Sequence, residues 1–410
     1  MNEINFPVPE YMNSSCFWTD KLLNAEEIIM SVNDIKRFNI KITEKVPTVK
    51  NLEDISENIS KEILTNYINS YKIPVKNMYS LKGELITKDF YDKLIYNSNI
   101  KNIKNSNKIK YGLTVKKVSL RSFPDETPIF SSLEHSEINN MDRFQQTGCF
   151  PFEPLIILHE STDSKWFFVE TYNYRGWTKQ ENIAVTEDKK QVFDYANCEE
   201  FLMVIAKNIK LNTEEILCSM GTKIYLQKST DNYQIKIPSR TREGNLKFIT
   251  TQLEKSPSIM EGYLPFTRLN IINQGLKFLD DKYDWGDRFS GKDCSSFILT
   301  IYKTFGFRIP RDADEQEQCS DYSLKFNNQD TLNSLELGDI LFMEGHVMLY
   351  IGEYKGTHYM LHNFAYYSEK TNNTITIHPV YKVSITPVTL LNFEGIPFTN
   401  KFTSAIKLRK

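Results

Sequence analysis

Between residues 294 and 305 the apolar positions Phe297, Ile301 and Phe305 recur four apart, with Ile298 and Tyr302 beside them. This is one stripe of an α-helix. Asp293 is a good N-cap and Gly306 a good stop, so a helix is predicted with Cys294 in its first turn. Further on, residues 346–351 (His-Val-Met-Leu-Tyr-Ile) read as a strand, 352–356 as a turn and 357–362 (Thr-His-Tyr-Met-Leu-His) as the returning strand. Short strands are also predicted at Pro154 to His159, Lys165 to Glu170 and Gly176 to Thr178, with Ser161-Thr162-Asp163-Ser164 as a turn. A weaker strand-rich stretch runs from Met220 to Phe248. Residues 1–110 are mostly helical in pattern. Their clearest amphipathic stretch is Ser56 to Tyr71, with Ile59, Ile63, Leu64, Tyr67, Ile68 and Tyr71 on one side.

At 410 residues the chain is too long for one compact core, and two to four domains are expected. Fifty basic and 52 acidic residues give a formal charge of −2, which makes no electrostatic case for nucleic acid or an anionic membrane. No apolar run approaches the length of a membrane span. The opening Met1-Asn2-Glu3-Ile4-Asn5-Phe6-Pro7 has neither a basic region nor an apolar core, so no signal peptide is visible. A cytoplasmic location is expected on that ground, and a periplasmic or secreted one if the N-terminus has been processed. The six cysteines show no Cys-x-x-Cys spacing, which argues against zinc and against a disulfide framework. Nothing in the sequence specifies an oligomeric state.

The reactive candidates are a thiol and two imidazoles. Cys294 sits in Gly291-Lys292-Asp293-Cys294-Ser295-Ser296-Phe297, where free N–H groups and the positive end of the helix are expected to favour a thiolate and to help hold an oxyanion. Cys16, Cys149, Cys198, Cys218 and Cys319 read as small buried hydrophobes. If the hairpin is centred on Tyr354, His346 and His362 stand directly opposite on one face, with Cβ atoms about 4.5–5.5 Å apart. One imidazole can then act as base towards Cys294 while the other orients it. His358 shares that face but falls opposite Tyr350, roughly 13 Å further along. His135, His159 and His378 read as surface or hydrogen-bonded histidines.

With these residues in view the chain resembles the NlpC-type cell-wall cysteine peptidases. Thr267 to Leu279 is similar to the helix before the site, Tyr283-Asp284-Trp285-Gly286 to the motif preceding the nucleophile, and Asp293-Cys294-Ser295 to the nucleophile motif itself. Arg308-Ile309-Pro310-Arg311-Asp312 with Gln316 follows, then Leu337 to Phe342 leading into His346-Val347, then Tyr359-Met360-Leu361-His362 at the third catalytic position. Ser296 stands where the motif usually has Gly, and Asp287 where many members have a second Gly. Ala313 replaces a serine that touches substrate in some members.

The resemblance implies an α+β architecture. A papain-like NlpC-type catalytic domain over 257–410 follows two small SH3-like β-barrels, over 113–186 and 187–256, and a mostly helical N-terminal cap over 1–112. It implies a γ-D-glutamyl-diamino acid endopeptidase with catalytic Cys294, His346 and His362 and no metal or organic cofactor. The expected partners are peptidoglycan stem peptides (murein tripeptide or tetrapeptide) with a free N-terminal L-Ala, cleaved between D-Glu and diaminopimelate or Lys. Asp293, Ser295 and the barrel residue Tyr174 are the substrate-binding candidates it implies. Two other readings stay open: a CHAP-like amidase, for which Asn363 is available but points away from His346 by strand parity, and a catalytically retired wall-binding protein.

Overall fold

The structure, a computed structural model, describes residues 6–133, 141–211, 216–371 and 374–409; His135 lies outside them. The chain divides into two compact units. One comprises Met1–Pro47, Tyr263–Tyr283 and Gly291–Lys410, the other Thr48–Gly262 and Asp284–Ser290. Among the described residues no helix is long and apolar enough to cross a membrane.

The first unit is built on a six-stranded antiparallel sheet. Its order is Ser323–Lys325, Phe402–Ile406, Ile340–Met343, His346–Tyr354, Thr357–Thr371 and Thr374–Pro387. Period-2 alternation assigns opposite jobs to neighbouring residues. Leu341, Met348, Tyr350, Met360 and Phe364 join one apolar cluster with Phe398 and Phe402. Leu349 and Leu361 face the other way, towards the helices Arg268–Leu276 and Cys294–Lys303. A Cβ at Gly275 would come within 2.9 Å of Leu361 and 3.5 Å of Leu349, so glycine there lets helix and sheet close together.

The helix Cys294–Lys303 begins where the pattern placed it. Asp293 caps it, and Ser296 returns the bond to the Asp293 N–H to complete a capping box. It is buried all round from Cys294 to Tyr302, polar Ser295, Ser296 and Thr300 included. Gly306, at φ +96°, turns the chain away two residues past its C-cap Thr304.

The hairpin carrying the histidines departs from the expected register. Lys355 and Gly356 both have positive φ, +51° and +79°, and form a two-residue turn that pairs Tyr354 with Thr357. A bulge at Ile351 then shifts the ladder, so that Tyr350 opposes Met360 and Leu349 opposes Leu361. The ladder near the site is therefore two residues out from the predicted one. A shift of two preserves the face, and His346 and His362 become diagonal neighbours.

The second unit holds a seven-stranded antiparallel sheet in the order Gln145–Cys149, Val118–Arg121, Arg175–Lys179, Trp166–Glu170, Pro154–Glu160, Lys110–Thr114 and Ile183–Thr186. Trp166 and Phe168 enter one core with Trp177, while Phe167 and Val169 enter another with Val118 and Leu120. A five-stranded antiparallel sheet follows, ordered Leu246–Leu253, Tyr233–Arg240, Lys223–Ser229, Phe201–Val204 and Ile259–Glu261. The amphipathic stretch from Ser56 is helical only over Lys61–Asn69. Residues 58–60 are drawn into a strand pair with 106–108, and Ser60 caps the helix by accepting from the Ile63 N–H.

Candidate active site

Cys294 is 9% exposed, at the first position of its helix. Its Sγ accepts from the backbone N–H groups of Val347 and Ser295. Val347 follows His346, so the thiol lies against the opening of the strand that carries the imidazole. The sequence alone favours a thiolate here, and the packed protein reverses that. Burial, then the Asp293 carboxylate, push the thiol up to about 12, outweighing the two N–H donors and Arg311.

His346 Nε2 lies 2.8 Å from His362 Nδ1, and His362 Nε2 lies 2.9 Å from Thr386 Oγ1. With His346 Nε2 so engaged, Nδ1 is left as its other basic position. If the His346 Nε2–H donates, His362 receives at Nδ1 and passes its own Nε2–H to Thr386, a tautomer set that satisfies every nitrogen of the pair but Nδ1. The rings are held in an apolar box. Phe364 stacks on His362 with centroids 4.2 Å apart, and Phe398 meets it edge-on at 5.5 Å. Desolvation in this box pushes His346 down to about 4. It drives His362 well below its ordinary range, where the neighbouring His346 adds to the effect.

Asp293, Ser295 and Arg311 form a buried network beside the thiol. Asp293 Oδ1 accepts from the Ser296 N–H at 2.8 Å and from Ser295 Oγ at 3.3 Å. Arg311 donates to Asp293 Oδ2 at 2.5 Å and to Ser295 Oγ at 2.7 Å. Gln316 Nε2 donates to the Ser295 and Pro310 carbonyls, each at 3.0 Å. Both Asp293 oxygens are therefore already engaged. Tyr283 is also within electrostatic range of Cys294, and its phenol is held well above its usual range, chiefly by desolvation.

Thr386 and Arg311 went unnamed as site residues in the sequence. Arg311 stood inside a quoted motif, and an arginine following a nucleophile helix is a signal that could have been weighed. Thr386 lies 24 residues beyond His362 on the next strand, opposite Met360, where no local pattern points to it. Asn363 turns from His346 as its parity requires, and its Nδ2 donates to the Lys292 carbonyl at 2.6 Å. His358 Nδ1 lies 2.8 Å from Tyr350 Oη, and its Nε2 3.1 Å from Gln329 Nε2. His159 is bonded to the Asn99 carbonyl, and His378 stacks on Tyr367.

Tyr174 belongs to the second unit. It lies in the turn between Trp166–Glu170 and Arg175–Lys179, packs against the Val118–Leu120 core and donates from Oη to Gln146 Oε1 at 2.9 Å. The same unit holds residues 284–290, the stretch just before the nucleophile motif. Lys117 reaches Asp287 Oδ1 at 2.6 Å, Gln145 donates to the Gly286 carbonyl at 2.9 Å, and the Arg143 guanidinium lies over the Trp285 ring. Gly148 is required there, because a Cβ would fall 2.4 Å from the Asp287 carbonyl.

Residues 280–388 match the NlpC/P60 family, and residues 128–179 match the SH3 domain of the SH3b1 type. A dipeptidyl-peptidase 6 of Lysinibacillus sphaericus is 25% identical over 54% of this chain and 82% of its own length. A gamma-D-glutamyl-L-lysine dipeptidyl-peptidase of Bacillus cereus is 36% identical over 44% of this chain. One of the same description from Bacillus subtilis is 38% identical over 27%. The match spans 54% and 35% of those two proteins' lengths. An NlpC/P60 endopeptidase structure from Photobacterium damselae subsp. piscicida covers 96% of both chains, with a TM-score of 0.76 at 16% identity, so the fold is shared. The chain carries an NlpC/P60 peptidase domain and an SH3b-type domain.

Proposed function

We propose that this protein hydrolyses the bond between γ-D-glutamate and the diamino acid of peptidoglycan stem peptides, with Cys294, His346 and His362 as its catalytic residues. The observation that carries the reading is the relay from His346 through His362 to Thr386, on a strand whose second residue donates its N–H to Cys294 Sγ. The names of the two Bacillus relatives supply the bond and the lysine variant.

The mechanism starts from the protonated thiol and the neutral imidazole that burial favours. Burial raises the thiol and lowers the imidazole, so proton transfer between them is better driven by a bound carbonyl that takes up the developing charge. Substrate brings a carbonyl against Sγ. The thiol proton passes to His346, sulfur bonds to the γ-glutamyl carbon, and the oxyanion is held by backbone N–H groups at the helix start. The His346 imidazolium protonates the departing amine as the C–N bond breaks, leaving a thioester. Water then gives its proton to His346 and displaces sulfur, which recovers the proton. His362 orients the base and takes up part of the imidazolium charge. Asn363 favours this reading over a CHAP-like amidase, since it braces the Lys292 carbonyl and does not orient the base.

For substrate choice we propose that the free L-Ala ammonium is recognised by Asp293, with Ser295 and Tyr174 as further contacts. Asp293 would then serve Arg311 and the ammonium together. The finer architecture is part of the same proposal: a helical cap over 1–112, SH3-like barrels over 113–186 and 187–256, and a peptidase domain from 257 onward. The test is incubation with L-Ala-γ-D-Glu-diaminopimelate, its lysine counterpart and their N-acetylated forms, followed by mass spectrometry. Release of L-Ala-D-Glu from the free peptides, at least about tenfold faster than from blocked ones, is expected from the loss of one charge-assisted contact. Equal rates on free and blocked stems would remove the ammonium from the reading.

A further inference from the structure

The peptidase reading leaves one buried charge without a job. Arg311 is 4% exposed, and both of its terminal nitrogens are committed to the nucleophile motif. It grips Asp293 Oδ2 at 2.5 Å and Ser295 Oγ at 2.7 Å, one residue to either side of Cys294. Asp293 is itself 6% exposed and Ser295 5%. An uncompensated carboxylate at that depth would oppose any negative charge forming on the adjacent sulfur.

We propose that Arg311 is a positioning residue that neutralises Asp293 and fixes the Asp293–Ser295 turn, so that negative charge can develop on Cys294 Sγ. The planar guanidinium suits this work, since two nitrogens of one fork serve two acceptors at a fixed spacing. Gln316 completes the frame by holding the Ser295 carbonyl. Tyr283, from the segment before the motif, is also within electrostatic range of the thiol, and the backbone N–H of Val347, the residue after His346, acts on it as well. Asp312 is also within electrostatic range of Arg311 and Asp293, and burial holds its carboxyl above the usual range. The proposal rests on Cys294 being the nucleophile, and its test reads the thiol directly, so failed peptide hydrolysis and a failed role for Arg311 give different results.

The experiment is the pH dependence of Cys294 alkylation by iodoacetamide, followed by mass spectrometry of the Cys294 peptide in the full-length protein. R311M leaves Asp293 charged without its guanidinium, so the alkylation midpoint is expected to rise by about one pH unit, a rate about tenfold lower at neutral pH. D293N should move it down, and D293N/R311M should return it towards wild type. If R311M does not fold, R311K carries the test, because it keeps the cation but loses the fork and should raise the midpoint by a smaller step. A wild-type midpoint in R311M, or in R311K where R311M is lost, would reduce Arg311 to a packing role. A double variant that stays at the R311M value would overturn the charge argument.

Discussion

One hairpin presents two histidine clusters, and they differ in what lies at the far end of each. His362 and His358 lie four residues apart on the same strand and the same face, both buried. His362 bonds His346, at the end of the hairpin where Val347 meets the thiol, and rests on Thr386. His358 sits near the turn, between Tyr350 and Gln329, neither of which takes part in the proposed mechanism. Residue type, face and burial are alike; what differs is the partner at the far end. In the proposed mechanism a buried histidine takes a catalytic part from the group its neighbour touches.

The largest effect that tests this contrast is loss of the base. His346→Ala should lower kcat by roughly 10²–10⁴-fold, the usual contribution of a positioned proton acceptor. Alkylation of Cys294 should still occur at high pH, where hydroxide replaces the imidazole. Next comes His362→Ala. A hydrogen bond to a charged group contributes about 1.5–3 kcal/mol, so losing the one that steadies the His346 imidazolium should cost about 10–150-fold in kcat. KM should change little, since the ring does not contact substrate in this mechanism. Thr386→Val removes the next link, a neutral bond of about 0.5–1.5 kcal/mol, and should slow turnover by about 2–12-fold. A Thr386 effect larger than that of His362 would show that charge is not passed down the relay in this order.

Local chemistry made much of the site legible. Asp293 as cap, Gly306 as stop and the stripe from Phe297 to Phe305 located the helix and put Cys294 at its mouth. Strand parity put His346 and His362 on one face and turned Asn363 away. Long-range pairing was not legible. The bulge at Ile351 is hidden from the sequence pattern, because Gly352, at φ +134°, reads there as the start of a turn and not as a strand position beside a bulge. Thr386 is brought to His362 by a third strand, and Arg311 reaches back 18 residues to Asp293. The environment of Cys294 is long-range for the same reason. A helix terminus favours a thiolate locally, while burial and the Asp293 carboxylate act through the packed whole.

The smallest effect on activity should come from His358→Ala. The relay does not include His358, so kcat and KM for the stem peptide should stay within about twofold of wild type, a change worth less than a typical hydrogen bond. Stability should fall instead, because Tyr350 Oη loses its buried partner, at a cost of about 1–3 kcal/mol. The pH dependence separates the roles further. Burial lowers the folded-state pKa of His358 below 6.5, as it does for His346 and His362, so below 6.5 the unfolded chain binds more protons than the folded one. Stability from these groups is therefore present above pH 6.5 and declines as pH falls, for His346 through the window from 6.5 to about 4. His358→Ala should remove one of these groups and flatten the acid side of a Tm-against-pH curve while leaving the kcat profile in place. A kcat loss matching that of His362→Ala would place both clusters in the reaction and dissolve the distinction between them.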